Sequence, residues 1–312
     1  MKPELLVLKP LLPGQMEQLD SQFVLHHVYQ TPEPASLIES VGTRIRGVVT
    51  SGAIGFGQDM LARLPALEIV ASSGVGTDSI DIPACQARGV PVTNTPDVLN
   101  DDVADTGIAL ILGAMRQLVQ GHAYARDGSW ARKGPMPLTR SVRGKTLGIV
   151  GLGRIGKELA ERASALKMKI AYTGRKPQDT PYEFVADLHE LARRADVLAL
   201  TCPGGAATRH LINGSVLEAL GAQSWLVNLA RGSVVDEAAL IAALRQGKIG
   251  GAALDVFENE PHIDPAFSTL ENVLLYPHHA SGTVETRNAM SQLVVDNLLA
   301  HFGGKPLVTP VR

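Results

Sequence analysis

Residues 147–156 read LGIVGLGRIG, and this stretch decides the fold of the chain around it. An apolar, strand-like run ends at Val150, a glycine-rich turn covers residues 151–156, and a helical pattern begins at Lys157. In a G-x-G-x-x-G turn the first glycine permits the bend, the second admits a phosphate, and the third lets the helix pack on the strand. The helix N-terminus adds N–H groups and partial positive charge. The motif predicts a dinucleotide site, against the alternative of a glycine-rich turn without a ligand. Its predicted contacts are Gly151, Leu152, Gly153, Arg154, Ile155 and Gly156.

Composition narrows the class of protein. The 312 residues suggest about two domains, and 45% hydrophobic with 19% charged residues are typical of a globular protein. A net charge of −2 argues against a nucleic-acid-binding protein. Two distant cysteines, Cys85 and Cys202, predict neither disulfides nor a metal site and favour a reducing cytoplasm. We expect no secretory leader and no membrane span, since no run approaches about 18 apolar residues.

Short apolar runs alternate with helical patterns along most of the chain. Before the glycine motif, strands are predicted at 5–8, 23–25, 47–50, 68–71 and 91–93, with helices near 14–20, 34–44, 57–64 and 79–88. After it, further strands are predicted at 168–172, 197–201, 225–229, 251–254 and 273–275. This rhythm predicts an α/β fold with two doubly wound parallel-sheet domains, a Rossmann cofactor domain and a smaller flavodoxin-like substrate domain.

Two helices mark the expected domain crossings. A helix starting near Asn100 carries a mostly apolar stripe of Val103, Gly107, Leu110, Ile111, Ala114 and Leu118, which fits a core helix or one shared with a second subunit. The last helix, near 285–302, cannot extend the second sheet and is expected to return to the first domain. We therefore predict a discontinuous substrate-binding domain of 1–98 and 286–312, a dinucleotide-binding domain of 99–285, and a hinged cleft between them.

The second strand after the glycine motif bears on the choice of cofactor. Units that prefer NAD usually place an acid there, about 20 residues past the glycines. Here Gly174 lies at or near that place, and Arg175 and Lys176 follow. Cations suit a 2′-phosphate, so NADP(H) is predicted over NAD(H). The alternative is a solvated basic turn before Pro177.

Three candidate catalytic residues follow three predicted strands. Arg231 in NLARG can bind a carboxylate and polarise a carbonyl. His278 in PHHASG can act as a proton donor if a carboxylate holds it, and Glu260 in DVFENEP is the candidate partner. The sequence leaves open whether Glu260 contacts His278 or whether the histidine merely lies in a turn.

Taken together, these segments resemble the D-isomer-specific 2-hydroxyacid dehydrogenase family. The resemblance is carried in order by LGIVGLGRIG, NLARG, DVFENEP and PHHASGT, together with the 95–105 segment. Within the family, residues 277–286 and the ending KPLVTPV are most similar to glyoxylate/hydroxypyruvate reductases, which mostly use NADPH. By position, the resemblance assigns the catalytic roles to Arg231, Glu260 and His278.

The resemblance implies further site residues. Asp255 would receive the nicotinamide carboxamide, and the other cofactor contacts would be Thr106, Cys202, Pro203, Leu229 and Ala230. Backbone N–H groups of Val75 and Gly76 would hold the substrate carboxylate with Arg231, and Ala53 lies in the loop expected to line the side-chain pocket. His279 departs from the aliphatic residue usual in the family. Trp130 matches a tryptophan that some reductases offer to a partner subunit, or is an ordinary buried tryptophan.

The expected function is therefore NADPH-dependent reduction of small 2-oxo acids, glyoxylate or hydroxypyruvate, by a homodimer. One alternative is reduction of another 2-oxo acid, such as an arylpyruvate or a sugar-derived acid. The other is a dinucleotide-sensing scaffold, because the same fold can serve without catalysis.

Overall fold

A computed structural model describes residues 2–311 and divides the chain into two compact units. The first unit contains the chain up to Leu99 and again from Gly282, and the second contains Asn100–Ser281. The return crossing precedes the expected 285/286 position, since Thr283 caps the last helix by accepting the N–H of Thr286 at 3.1 Å. The Thr286 hydroxyl also donates to the carbonyl of Val98, so the whole helix start belongs to the first unit.

The first unit is built on a five-stranded, fully parallel sheet of order β2-β1-β3-β4-β5. The strands are β1 Glu4–Val7, β2 Val24–His27, β3 Ile45–Ser51, β4 Ile69–Ser73 and β5 Val92–Thr93. The helices, numbered over the whole chain, are α1 Pro13–Gln22, α2 Pro34–Val41, α3 Gln58–Arg63, α4 Ile82–Ala87 and α12 Val284–Phe302.

Helices cover both faces of this sheet, and the side chains of β1 show how. Leu5 and Val7 pack into a core with α1 and α12, whereas Leu6 packs into the opposite core with α2 and α3. The alternation follows from the two-residue period of a strand. A strand buried on both faces is a near-continuous apolar run, which is the pattern visible in the sequence.

The second unit contains a seven-stranded parallel sheet of order β12-β11-β10-β9-β6-β7-β8. Its strands are β6 Thr146–Val150, β7 Lys169–Thr173, β8 Glu183–Phe184, β9 Val197–Leu200, β10 Trp225–Asn228, β11 Gly251–Leu254 and β12 Val273–Leu275. Its helices are α5 Asn100–Met115, α6 Leu118–Arg126, α7 Ser129–Lys133, α8 Arg154–Ala165, α9 Leu188–Arg194, α10 Gly214–Leu220 and α11 Glu237–Arg245.

The strand order reverses beside β6, which pairs with β7 on one side and β9 on the other. In doubly wound sheets the ligand crevice lies at such a switch point, at the carboxyl ends of the strands. The glycine-rich turn follows β6 directly. The fold class predicted from the sequence, two parallel-sheet α/β units, is therefore confirmed.

One part of the predicted helix stripe is wrong. Val103 to Ala114 of the stripe are buried in α5, and a Cβ at Gly107 would lie 2.7 Å from the Leu229 side chain, so α5 packs closely in the core of its own unit. The helix ends at Met115, and Gln117 has a positive φ of 50°. Leu118 therefore begins α6, where it is exposed. None of the helices within residues 2–311 has both the length and the apolar character to cross a bilayer.

Candidate active site

The glycine-rich turn has the geometry that a pyrophosphate requires. Gly151 has a φ of 96°, and a Cβ there would lie 2.7 Å from the Cα of Cys202. A Cβ at Gly156 would lie 2.5 Å from the Gly151 carbonyl oxygen, so α8 packs tightly on the turn. Gly153, the N-cap of α8, faces open space, since no heavy atom of the described chain lies within 4 Å of its added Cβ. The residues present therefore fit a dinucleotide phosphate at the start of α8.

The basic turn after β7 is tied to the glycine-rich turn. Gly174, Arg175 and Lys176 are exposed, and an added Cβ at Gly174 would meet no described atom within 4 Å. Gln178 ends the turn, and its side-chain amide donates to the carbonyl of Leu152 at 2.7 Å. Its backbone N–H donates to the hydroxyl of the fully buried Tyr172 at 2.7 Å. The two cations thus stand on a turn held at a fixed distance from the predicted phosphate site.

The borders of the predicted cofactor site are buried strand ends. Cys202, Leu229 and Ala230 follow β9 and β10 and are all buried, and Pro203 is the exposed continuation. Burial raises the pKa of the Cys202 thiol to about 11, so this thiol stays protonated and unreactive at neutral pH. Thr201, just before it, donates its hydroxyl to the Gly151 carbonyl at 2.7 Å and ties β9 to the glycine-rich turn.

Asp255 organises the loop that carries the predicted proton donor. Its carboxylate is 2% exposed and accepts the backbone N–H of His279 at 2.8 Å and, more weakly, that of Ala280 at 3.4 Å. Burial raises the pKa of Asp255, against the opposing effect of these N–H groups and of the His278 charge. The hydroxyl of Thr106 on α5 donates to the Ala280 carbonyl at 3.2 Å, so the same loop is held from both sides.

His278 and Glu260 are in direct contact. Nδ1 of the imidazole lies 2.6 Å from Oε2 of the carboxylate, and because a carboxylate only accepts, Nδ1 carries the proton. The second carboxylate oxygen accepts the Phe257 backbone N–H at 2.9 Å. Burial alone would raise the pKa of Glu260, but the bonds from His278 and Phe257, with the charges of His278 and Arg231, lower it. Glu260 is therefore ionised at neutral pH, and its contact with the ring uses Nδ1 rather than Nε2 of His278.

Arg231 stands beside this pair on a loop that packs against it. Nη1 donates to the Ala230 carbonyl at 2.7 Å, and the Arg231 charge is one of the causes of the lowered Glu260 pKa. The next residue, Gly232, lies against the loop after β11 that carries Glu260, since a Cβ there would fall 1.9 Å from the carbonyl carbon of Phe257. The second unit thus brings Arg231, Glu260 and His278 together, as the sequence analysis expected of these three side chains.

The predicted substrate loops lie together within the first unit. Ala53 follows β3 and Val75–Gly76 follow β4, and these strands are neighbours with Ser51 opposite Ser73. The Asn94 side chain donates to the Val75 carbonyl at 2.9 Å, and the Ser79 hydroxyl donates to the Gly52 carbonyl at 2.6 Å. Ala53 is exposed, and Val75 and Gly76 are partly exposed.

The sequence leaves the roles of His279 and Trp130 open, and the structure gives these two side chains different surroundings. The exposed His279 ring packs edge-on against Tyr276, with 6.0 Å between ring centroids. Trp130 is 66% exposed, which excludes the ordinary buried tryptophan, and it lines a shallow groove of about 390 Å³ with Tyr124 and Met136. Among residues 2–311, no group of three or more His, Cys, Asp and Glu side chains is arranged to hold a metal ion.

The sequence analysis did not identify several residues that contact the loops of this site. His210, Glu237 and Gln178 contact the site loops from segments far along the chain. Glu258 lies inside the DVFENEP segment but was not singled out. Only its place two residues before Glu260 offered a signal, because such contacts depend on how the loops fold.

Comparisons with known proteins show which family the chain belongs to. The model of the NAD binding domain of D-isomer specific 2-hydroxyacid dehydrogenases matches residues 108–280. Glyoxylate/hydroxypyruvate reductase A of Arabidopsis thaliana is 46% identical over 98% of both chains. Hydroxyphenylpyruvate reductase of Plectranthus scutellarioides is 45% identical over 98% of both, and 2-ketogluconate reductase of Gluconobacter oxydans is 44% identical over 99% of both.

Among solved structures, the NADPH-dependent glyoxylate/hydroxypyruvate reductase of Sinorhizobium meliloti, in complex with NADP and malonate, superposes with a TM-score of 0.91. It is 42% identical, and the match covers 100% of this chain and 97% of that one. The fold, the glycine-rich turn and these similarities lead to one assignment. The chain belongs to the D-isomer specific 2-hydroxyacid dehydrogenase family and is an NAD(P)-dependent oxidoreductase.

Proposed function

We propose that this protein reduces small 2-oxo acids to 2-hydroxy acids with NADPH, and that glyoxylate and hydroxypyruvate are its preferred substrates. The observation that carries the proposal is the 2.6 Å contact between His278 and the ionised Glu260, with Arg231 beside it. The nicotinamide, when bound, supplies the hydride. The remaining chemistry is proton transfer and charge stabilisation, which this chain's own side chains supply.

His278 is the proton donor in this proposal. The Glu260 carboxylate accepts the Nδ1 proton and fixes the ring, so Nε2 is the nitrogen that would face the ligand. As hydride reaches the substrate C2, the proton on Nε2 moves to the carbonyl oxygen and yields the hydroxyl group. Arg231 binds the substrate carboxylate and polarises the carbonyl. Val75 and Gly76 would donate backbone N–H groups to the same carboxylate, and Ala53 would line the pocket for the substrate's side chain.

We assign the preference for NADP(H) to the turn after β7. Gly174 leaves the space where an acid would repel a 2′-phosphate, and Arg175 and Lys176 are exposed cations on a turn that Gln178 tethers. The Sinorhizobium meliloti relative with bound NADP supports this preference. Asp255 and Thr106 hold the loop on which His278 stands, and Asp255 would also receive the carboxamide of the nicotinamide.

A second candidate function is reduction of an arylpyruvate. An apolar cavity of about 240 Å³ lies beside the catalytic pair and is lined by Phe257, Ile263 and Tyr276 among others. Such walls suit an aromatic ring, and one close relative is a hydroxyphenylpyruvate reductase. Another relative is a 2-ketogluconate reductase, which keeps a sugar-derived acid as a further alternative.

We further propose that the protein acts as a homodimer in the cytoplasm. The segment from α6 to residue 138 exposes four large apolar side chains, Leu118, Val119, Trp130 and Leu138, and a partner subunit would cover this apolar surface. Both cysteines are free and buried, which suits a reducing compartment. Sedimentation of the purified protein tests the dimer, and a monomer at micromolar concentration would refute it.

One panel of assays tests the function. Glyoxylate, hydroxypyruvate, an arylpyruvate and 2-ketogluconate are each supplied with NADPH or NADH, and loss of the reduced cofactor's absorbance is recorded. We expect the largest kcat/KM for hydroxypyruvate or glyoxylate with NADPH. A larger value for the arylpyruvate would favour the second candidate. Binding of NADPH without turnover on any 2-oxo acid would indicate the sensing scaffold.

A further inference from the structure

A second histidine–carboxylate pair lies beside the first. Nε2 of His210 is 2.6 Å from Oε1 of Glu258, and 48 residues separate the two along the chain. His210 stands in the loop between β9 and α10, whereas Glu258 stands two residues before Glu260 in the loop after β11. No step of the proposed reaction uses this pair, so its close geometry needs another reason.

The backbone of His210 is joined to the arginine loop. Its N–H donates to the Ser233 carbonyl at 2.8 Å, and the N–H of Ile212 donates to the Val234 carbonyl at 3.0 Å. His210 also has a positive φ of 49°, which is uncommon for a residue other than glycine. The His210 backbone therefore contacts the loop that begins at Arg231. Its imidazole contacts the loop after β11, which carries Glu258 and Glu260.

Glu258 is fixed from the other side as well. Its backbone N–H donates to Oε1 of Glu237 at 2.7 Å, and Glu237 is the first residue of α11 and only 7% exposed. The turn closes on itself where Glu260 accepts the Phe257 N–H. With its backbone and side chain both anchored, Glu258 leaves the following residues little freedom to move.

We propose that His210 is a positioning residue: by gripping Glu258 it holds Glu260 where its carboxylate meets His278 at a set distance from Arg231. The inference rests on the proposed function, since it concerns how the proton donor is aligned. We attribute the effect of His210 to the position in which it holds Glu258, more than to an electrostatic effect on Glu260. Arg209 places Nη2 4.0 Å from the same Glu258 oxygen, so a positive charge stays nearby when the imidazole is removed.

The test compares His210→Phe with His210→Gln and Glu258→Gln. Small misplacements of a catalytic group cost up to about 100-fold in rate, and we expect His210→Phe to lower kcat about 10-fold with NADPH and hydroxypyruvate. The dissociation constant of NADPH and the Tm should stay near the wild-type values. His210→Gln keeps a side-chain donor and should recover part of the rate, and Glu258→Gln should resemble the milder variant.

The pH profile separates positioning from a merely structural role. The pH profile of kcat/KM reports the acid and base that the reaction uses, so we expect it to change in His210→Phe, whereas a loss of stability alone would leave it unmoved. His26→Phe is the matched control, since His26 and Glu4 form a similar pair at 2.7 Å in the first unit. It should leave both kcat and the pH profile unchanged.

Two results would overturn the inference. One is an unchanged kcat and pH profile in both His210→Phe and Glu258→Gln. The other is a loss of kcat that occurs only together with a lower Tm and weaker NADPH binding. Failure of the proposed function looks different: the wild type would then turn over none of the 2-oxo acids, or His278→Ala would keep the wild-type turnover. If His278→Ala is inactive and the His210 variants are normal, only the positioning role is wrong.

Discussion

Replacing Glu260 by glutamine probes the contact on which proton donation depends. The change keeps the size of the side chain and an acceptor for the Phe257 N–H, but it removes the negative charge 2.6 Å from Nδ1 of His278. A hydrogen bond to a charged group contributes about 1.5–3 kcal/mol, and about 1.4 kcal/mol equals a factor of ten in rate. We therefore expect kcat to fall about 10- to 100-fold, nearer the lower figure because the His278 side chain is 42% exposed.

The lowered pKa of Glu260 determines how the effects of Glu260→Gln should depend on pH. The pKa of Glu260 is lowered in the folded protein, so wild-type Glu260 is ionised throughout the neutral range. In Glu260→Gln no carboxylate charge faces Nδ1 of His278, so the pH profile of kcat/KM should differ from that of the wild type. A lowered carboxyl pKa also stabilises the fold above the unfolded-state pKa and ceases to do so as pH falls through the folded-state pKa. The variant should thus lose Tm at neutral pH and approach the wild type in acid.

The assay is the initial rate of NADPH loss with hydroxypyruvate, measured across pH at saturating cofactor. Asp264→Asn is the matched control: Asp264 is an acid of the same loop that caps the following turn through the Ala266 N–H. It should leave the rate and its pH profile unchanged. Wild-type kcat and an unshifted profile in Glu260→Gln would refute the reasoning, because the carboxylate would then do nothing for the donor.

Three further predictions concern the cofactor turn and the packing behind the site. Replacing both Arg175 and Lys176 by alanine should raise the KM for NADPH at least about 10-fold and leave that for NADH nearly constant; equal effects on both cofactors would contradict the assignment. Gly232→Ala places a Cβ 1.9 Å from the Phe257 carbonyl carbon, so kcat should fall about 100-fold or the protein should fail to fold, as activity and Tm will tell. Burial raises the pKa of Glu237, so its ionisation opposes folding as pH rises past the ordinary carboxyl range. Glu237→Gln should accordingly gain up to about 1 kcal/mol at neutral pH in urea unfolding and nothing in acid, and a loss at neutral pH would count against this.

Much of the fold follows from local patterns in the sequence. Each long strand is an apolar run buried on both faces of its sheet. The glycines that follow β6 predict both the turn and the start of the next helix. Shorter features had too little signal. β8 contains only Glu183 and Phe184, too few residues to show any period, and the break after Met115 depends on a single positive φ at Gln117. The stripe therefore ran on to Leu118 in the sequence although the helix does not.

The residues of the candidate site likewise fall into those that the sequence predicts and those that it does not. Arg231, Glu260 and His278 follow strand ends, so their meeting at one edge of a parallel sheet could be anticipated from sequence position. His210 could not, because it lies well beyond the end of β9 and its contact with Glu258 arises only when both loops are folded. The tether from Gln178 to Leu152 is equally invisible in the sequence. The residues proposed to do the chemistry lie in recognisable sequence segments, whereas the contacts of His210 and Gln178 depend on tertiary packing.

The most direct test of the account is the turnover of His278→Ala beside the wild type, with NADPH and hydroxypyruvate, while NADPH binding is measured separately by fluorescence. We predict that the wild type consumes NADPH and that the variant loses about 100-fold or more in kcat with an unchanged dissociation constant for NADPH. Turnover in the variant close to that of the wild type would contradict it.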